Sequence, residues 1–448
     1  MRRLVVLLIA LVTLLPPAAT ARDAERAPQL PDTPVARQLS WLLAASHRLP
    51  LAESEMRAHL SDPLLESLGP DGLNDMLAEA GGTNGLSLGS YRAQREPRAG
   101  SEAYALLTGG TGTHHAVVVT DADGAIASLF LTPLPHSWAE LTRRAAAVAP
   151  DVSFLAAEID EPDDPGEPGE CRPVHTLAPA TPRPIASAFK LYVLGALAEA
   201  VHSGRAEWDE PLAVRDEWKA GGGGPVAELP AGTRLTLREY ADHMIFYSDN
   251  SATDHLMHRL GRGAVEAQQA RFGMADPAAN LPFLLTREMS QLKTADYPVH
   301  ADAFAALDED ARRAYLDHVV AGLPVPDTIW SEPRSIATIE WYASAADLCR
   351  AFAGLHAQAA QPGQEPVDTS LSLMGTRILG LDTETWPTGW FKGGSEPGVV
   401  TRSFMAASAT GETYVVSVLA SDPENNVSDA ATVSELLALS AGAFHLMQ

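Results

Sequence analysis

Lysine is almost missing from this chain. Of 32 basic residues among 448, only Lys190, Lys219, Lys293 and Lys392 are lysines. The others are arginines, which do not give up their proton inside a protein. Cysteine is nearly absent as well. Cys171 and Cys349 alone exclude a disulfide-rich scaffold and a multi-thiolate metal centre. In an exported protein the two could form one bridge. Sequence leaves that open, because it does not show whether their Cα atoms approach. Positive charge is scarce overall, and the formal net charge is −25. So acidic a surface repels nucleic acid and anionic lipid. A small substrate, held by local rather than global positive charge, is expected instead. No His/Cys cluster has ligand spacing. His114 and His115 sit in an alternating stretch and face opposite sides, so neither a metal nor a cofactor is expected.

Long apolar runs are also missing beyond the first residues. Residues 4–15, "LVVLLIALVTLL", follow Arg2 and Arg3 and precede Ala19-Thr20-Ala21. A basic start, a short apolar run and a small-residue cleavage site read as a signal peptide over 1–21. The bland alternative is an uncleaved anchor. The expectation is a secreted or periplasmic/extracellular chain with no membrane anchor after cleavage.

The length implies two domains. Helical periodicity at 36–49, 51–60 and 71–80 gives way after "GGTNG" to alternation, with an Asp-Ala-Asp-Gly hairpin turn at 121–124. Residues 22–135 are therefore read as an α+β domain. Residues 136–448 form a second unit. It has a helix at 137–149, a strand at 151–159, a late strand at 412–421 and a C-terminal helix at 429–446.

"RPIASAFKLYVLGALAEAV", residues 183–201, poses the main question. A chain that avoids lysine places Lys190 in an apolar helix, three residues after Ser187. Positions i and i+3 share one helix face. A serine hydroxyl needs a base to become a nucleophile. A lysine amine can serve if burial or a neighbouring cation lowers its pKa, and arginine cannot. Alone, Ser-x-x-Lys is a weak motif, and more often a chance surface pair. Two more pieces join it, Ser248-Asp249-Asn250 and Lys392-Gly393-Gly394-Ser395. Each by itself is more often a polar turn.

Together and in this order, the three motifs resemble the set found in class A β-lactamases and penicillin-binding proteins. The surroundings "ASAFKLYVLGAL" and "SDNSATDHLMHRLG" are similar too, and the resemblance covers about 136–448. It implies an α/β β-lactamase/transpeptidase-like domain, an antiparallel sheet flanked by helices plus a helical subdomain. The preceding α+β unit resembles the cone-like, cyclase/isomerase-like domain of a two-domain subgroup that includes a protein of the clavulanic acid pathway. By resemblance Ser187 becomes acylated, Lys190 takes its proton, and Ser248 and Lys392 relay a proton to the leaving group. Asn250 bonds Lys190 and a substrate amide. The N–H groups of Ser187 and Ser395 form the oxyanion hole beside Gly394. Asp249 is read as structural.

Two departures stand out. Gly393 occupies a position where the family carries a hydroxyl that helps hold a substrate carboxylate; Ser395 and Arg402 could compensate. The family's deacylating glutamate has two candidates, Glu332 in Trp330-Ser331-Glu332-Pro333 and Glu340. Glu332 is favoured of the two, although the residues that follow it differ from the family's and a plain loop carboxylate is the more common reading of such a residue. The expected activity is that of an exported serine hydrolase acting on a β-lactam through an acyl-enzyme with slow deacylation. The alternatives are a D-Ala-D-Ala carboxypeptidase or esterase, with a cell-wall peptide or ester as substrate, and a penicillin-binding or clavam-pathway protein with little turnover.

Overall fold

A computed structural model describes residues 30–94, 100–160, 166–326 and 329–448. The expected signal segment and part of the acidic loop at 160–173 lie outside the described residues. The first helix, α1 (Pro34–Ala45), starts where Thr33 accepts the Ala36 N–H and proline takes the first turn. It is followed by α2 (Glu53–His59) and α3 (Asp62–Gly81). The strands β1 (Ser87–Ala93), β2 (Glu102–Gly109), β3 (Gly112–Thr120) and β4 (Ile126–Pro133) form an antiparallel meander in that order. Asp121 Oδ1 accepts the N–H groups of Asp123 and Ala125, closing the β3–β4 turn. Leu39, Leu42, Leu73 and Leu77 of the helices bury against Ala105, Leu107, Ala116 and Val118 of the sheet, giving this unit its own core.

The chain continues through α4 (Trp138–Ala145), β5 (Asp151–Ile159), β6 (Cys171–Leu177) and β7 (Arg183–Pro184). Next comes α5 (Lys190–His202), buried on nearly every face from Lys190 to Ala200. A helix apolar all round belongs in the middle of a core. A small ribbon, β8 (Pro211–Ala213) and β9 (Arg234–Thr236), leads into the helical layer. That layer comprises α6 (Leu237–Phe246), α7 (Asn250–Leu260), α8 (Arg262–Arg271), α9 (Thr286–Thr294), α10 (Val299–Ala305) and α11 (Glu309–His318). The tail of the chain adds β10 (Tyr342–Ala343), α12 (Ala345–Ala359), α13 (Glu365–Ser372), β11 (Thr388–Glu396), β12 (Val399–Ala407), β13 (Thr413–Ser421) and α14 (Ala430–Leu446).

The main sheet is antiparallel, ordered β11-β12-β13-β5-β6. One face packs on α5 and α12 through residues such as Leu155, Met405, Val415 and Leu419. The other packs on α4 and α14 through Phe154, Phe404, Val416 and Val418. Cys171 on β6 and Cys349 on α12 are bonded across the first of these interfaces, with Cα atoms 6.3 Å apart. The N-terminal sheet docks on the second unit. His115 Nε2 lies 2.8 Å from the Ile378 carbonyl, and Thr132 and Ser434 share a hydrogen bond of 2.8 Å. Burial holds the His115 imidazole neutral, its pKa lowered to about 4.

Candidate active site

Three backbone features assemble the site, and two of them are strained. Ala186 and Ser248 have φ of +43° and +56°, a left-handed region that non-glycine residues avoid unless their surroundings enforce it. Ala186 opens the 3₁₀ turn Ala186–Phe189 that delivers Ser187 to the head of α5. Ser248 precedes Asp249, the N-cap of α7. Asp249 accepts the Ala252 N–H at 2.8 Å and the Val226 N–H at 2.8 Å, so it anchors its own loop. The third feature is close approach. A Cβ on Gly394 would stand 2.3 Å from the Ile185 carbonyl oxygen and 2.6 Å from the Ser187 nitrogen. Only glycine lets β11 press against the turn that carries Ser187.

Lys190 is completely buried. Its Nζ lies 3.1 Å from Ser187 Oγ, 3.1 Å from Ser248 Oγ, 2.5 Å from the Ser248 carbonyl and 2.8 Å from Asn250 Oδ1. Asn250 donates its Nδ2 to the carbonyls of Gly221 and Gly222 at 3.3 and 3.2 Å, which fixes Oδ1 toward the lysine. The Ser248 carbonyl and Asn250 Oδ1 are acceptors only. In a neutral amine they take both N–H groups and leave the lone pair for a serine hydroxyl. Burial lowers the Lys190 pKa from 10.5 to about 7, opposed by the carboxylates of Asp249 and Asp254. Lys392, equally enclosed, donates to Ser248 Oγ at 3.0 Å and to the Gly393 carbonyl at 2.6 Å. Burial holds it well below the usual lysine range, aided by the charges of Lys190 and Arg402. Ser248 Oγ thus bridges two amines that both release protons readily.

The cleft around these groups has a volume of about 540 Å³. Arg402 lines it and donates to the carbonyls of Thr401 and Gly394 at 2.9 and 3.3 Å. Burial lowers its pKa to about 10, offset in part by the Tyr104 phenol. Ser395 is exposed at the cleft wall. A Cβ on Gly393 would lie 2.8 Å from Phe391 Cζ and 3.1 Å from Arg402 Nη1. The space for a hydroxyl side chain is therefore taken up by the Phe391 ring and the Arg402 guanidinium.

Ser187, Lys190, Ser248, Asn250, Lys392, Gly394, Ser395 and Arg402 are brought together. Glu332 is not. It is exposed on its loop, while its neighbour Trp330 turns into the cleft. Glu340 is buried against the Ala186–Phe189 turn, where its Oε2 accepts the Ala186 N–H at 3.2 Å. Among the described residues that line the cleft, the single carboxylic acid is Glu396. Sequence reasoning missed it. It also missed Lys293, whose Nζ lies 2.5 Å from Glu396 Oε1. The signal was present in the scarcity of lysine: three of the four lysines stand at or behind this site. Gln94 and Tyr104, from the N-terminal unit, line the cleft as well, and no motif marks them.

Residues 174–315 match the beta-lactamase enzyme family. This stretch is about a third of the chain; it contains Ser187, Lys190, Ser248 and Asn250 and ends before Lys392. The main sheet with helices on both faces fits a β-lactamase/transpeptidase-like fold. No curated protein matches the chain. Among solved structures, a β-lactamase from Sphaerobacter thermophilus is 21% identical, covering 70% of this chain and 97% of its own, with a TM-score of 0.47. A β-lactamase from Chitinophaga pinensis is 16% identical, covering 68% and 97%, with a TM-score of 0.44.

Proposed function

We propose that this chain is an exported serine hydrolase of the β-lactamase type that acts on a β-lactam through an acyl-enzyme and deacylates slowly. One observation carries the proposal: the Lys190 amine faces the Ser187 hydroxyl from a pocket of neutral acceptors. With a pKa of about 7, roughly half of such amines are neutral at pH 7. Ser187 Oγ attacks the lactam carbonyl and its proton passes to the Lys190 lone pair. The Ser187 and Ser395 N–H groups receive the developing oxyanion, the largest electrostatic contribution expected. The proton then moves from Lys190 through Ser248 Oγ to the departing nitrogen, with Lys392 donating to Ser248 from the far side. Arg402 takes the substrate carboxylate beside Gly393.

Slow deacylation is supported by the position of the carboxylates. Glu332 points to solvent, and Glu396 and Glu340 are held by Lys293 and by backbone N–H groups. The same observation favours a second reading, a penicillin-binding or D-Ala-D-Ala-directed protein with little turnover. The N-terminal helices and sheet, with their separate core, support reading 22–135 as the cyclase/isomerase-like unit.

The test is to mix the purified protein with a fluorescent penicillin and a chromogenic cephalosporin and to follow adduct mass and absorbance. A stoichiometric adduct on Ser187, and an absorbance burst followed by a low steady rate, are expected. Absence of any adduct and of any turnover would refute the reading.

A further inference from the structure

Three buried ionisable side chains behind the nucleophile take no part in the chemistry above. Lys293 lies on α9, Glu396 at the end of β11, and Glu340 just before β10, all nearly or fully inaccessible. Lys293 Nζ donates to Glu396 Oε1 at 2.5 Å. Glu340 Oε2 accepts the N–H of Trp341 at 2.7 Å and that of Ala186 at 3.2 Å. The remaining oxygens, Glu340 Oε1 and Glu396 Oε2, are buried and receive no N–H or O–H from other groups, while the two carboxyls interact with each other. Two carboxyl groups hydrogen-bond only with a proton between them. One shared proton leaves the pair with a single negative charge, which the Lys293 ammonium balances.

The cluster is aimed at the catalytic backbone. Glu340 holds the N–H of Ala186, the strained residue before Ser187, and the Ile185 N–H reaches the Trp341 carbonyl at 2.9 Å. Glu396 directly follows Ser395. The carboxyl pair therefore joins the two backbone segments whose N–H groups form the oxyanion hole in the reading above. We propose that Lys293, Glu340 and Glu396 are positioning residues that lock these two segments together through a proton-sharing carboxyl bridge. The inference rests on Ser187 being the nucleophile.

Burial raises both carboxyls, Glu340 further through repulsion by Glu396, with Lys293 opposing. The Tyr342 phenol, which donates to the Ile336 carbonyl at 3.0 Å, is pushed up by burial and by the charges of both glutamates. Arg334 donates to the Lys293 carbonyl at 2.7 Å, and the Trp330 ring lies under the ammonium. Loss of the shared proton at alkaline pH puts two buried negative charges side by side, which loosens the bridge.

The experiment measures the second-order rate of Ser187 acylation by a fluorescent penicillin from about pH 6 to 10, with circular dichroism as the folding check. Glu340→Ala should slow acylation about tenfold or more with non-covalent affinity nearly unchanged. Glu340→Gln keeps the acceptor for Ala186 and Trp341 and donates an N–H to Glu396, with no proton to lose. It should acylate within about threefold of the wild-type rate near pH 7 and decline at a higher pH than the wild type. A folded Glu340→Ala protein at the wild-type rate, or a Glu340→Gln protein with the wild-type alkaline limb, overturns the inference. If Glu340→Ala does not fold, the Glu340→Gln profile decides. Wild-type protein unlabelled at Ser187 would sink the hydrolase reading and this inference with it. Labelled wild type with insensitive glutamate variants would sink the inference alone.

Discussion

Lys190 and Lys293 are both fully buried, and their partners differ in kind. Lys293 ends on the carboxylate of Glu396. Lys190 ends on two hydroxyls, a carbonyl and an amide oxygen. A buried ammonium is costly unless an opposite charge offsets its lost hydration. Lys293 has that charge in contact; for Lys190 the carboxylates of Asp249 and Asp254 oppose the shift without touching the amine, and burial wins. In the proposed reading the same residue type is the ion-pair partner of a carboxylate in one pocket and the base in the other. The difference is set by whether a carboxylate reaches the amine.

The sharpest way to break this contrast is to remove the groups on the Lys190 side. Ser187→Ala should abolish covalent labelling by penicillin, read by intact mass, while the melting temperature stays near that of the wild type. Lys190→Arg keeps the charge and loses the base. Its acylation rate should fall about 10²- to 10⁴-fold, close to that of Lys190→Ala. On the Lys293 side the order of substitutions inverts. Lys293→Arg preserves the cation facing Glu396 and should be the mildest change there, whereas Lys293→Ala leaves an unpaired buried charge and should cost roughly 3–5 kcal/mol of stability, measured by denaturant unfolding.

pH separates the pockets further. The competent form of Lys190 is the neutral amine. With a folded pKa of about 7, the acylation rate should fall tenfold per unit below that pH and level off just above it, before the alkaline decline set by the Glu340–Glu396 pair. A rate independent of pH between 5 and 8 would remove Lys190 as the base. Arg402→Ala should lower kcat/KM for a carboxylate-bearing cephalosporin about ten- to a hundredfold relative to p-nitrophenyl acetate. Equal loss on both substrates would show that Arg402 does not read the carboxylate. Cys171→Ser has the smallest effect on chemistry, since the bond joins β6 to α12 away from the cleft. Stability should drop by roughly 2–5 kcal/mol with the acylation rate retained.

How much of this could be read in the sequence varied with distance along the chain. Ser187 and Lys190 share one turn, and Ser248 and Asn250 another, so their spacing was visible at once. The glycine after Lys392-Gly393 also announced itself as a motif, and its reason, the approach of β11 to the Ser187 nitrogen, needed the structure. Lys293, Glu340 and Glu396 lie on three separate elements with no common spacing, and only folding joins them. Glu332 drew attention through its Trp-Ser-Glu-Pro setting. Local pattern does not specify which way a loop side chain turns, and here Trp330 turns inward and Glu332 outward. Gln94 and Tyr104 reach the cleft because the N-terminal sheet docks on α14 and on the turn Gly375–Leu379, a packing that no periodicity encodes.

The central claim is that a neutral Lys190 activates Ser187. The most direct measurement is the acylation rate of wild type and of Lys190→Arg by one fluorescent penicillin, across pH, with the adduct located by peptide mass. The account predicts a single adduct per chain on Ser187, a wild-type rate that rises with pH to a plateau above about 7, and a Lys190→Arg rate lower by at least about a hundredfold at every pH. An arginine variant that acylates Ser187 at the wild-type rate, with the same pH dependence, would contradict it.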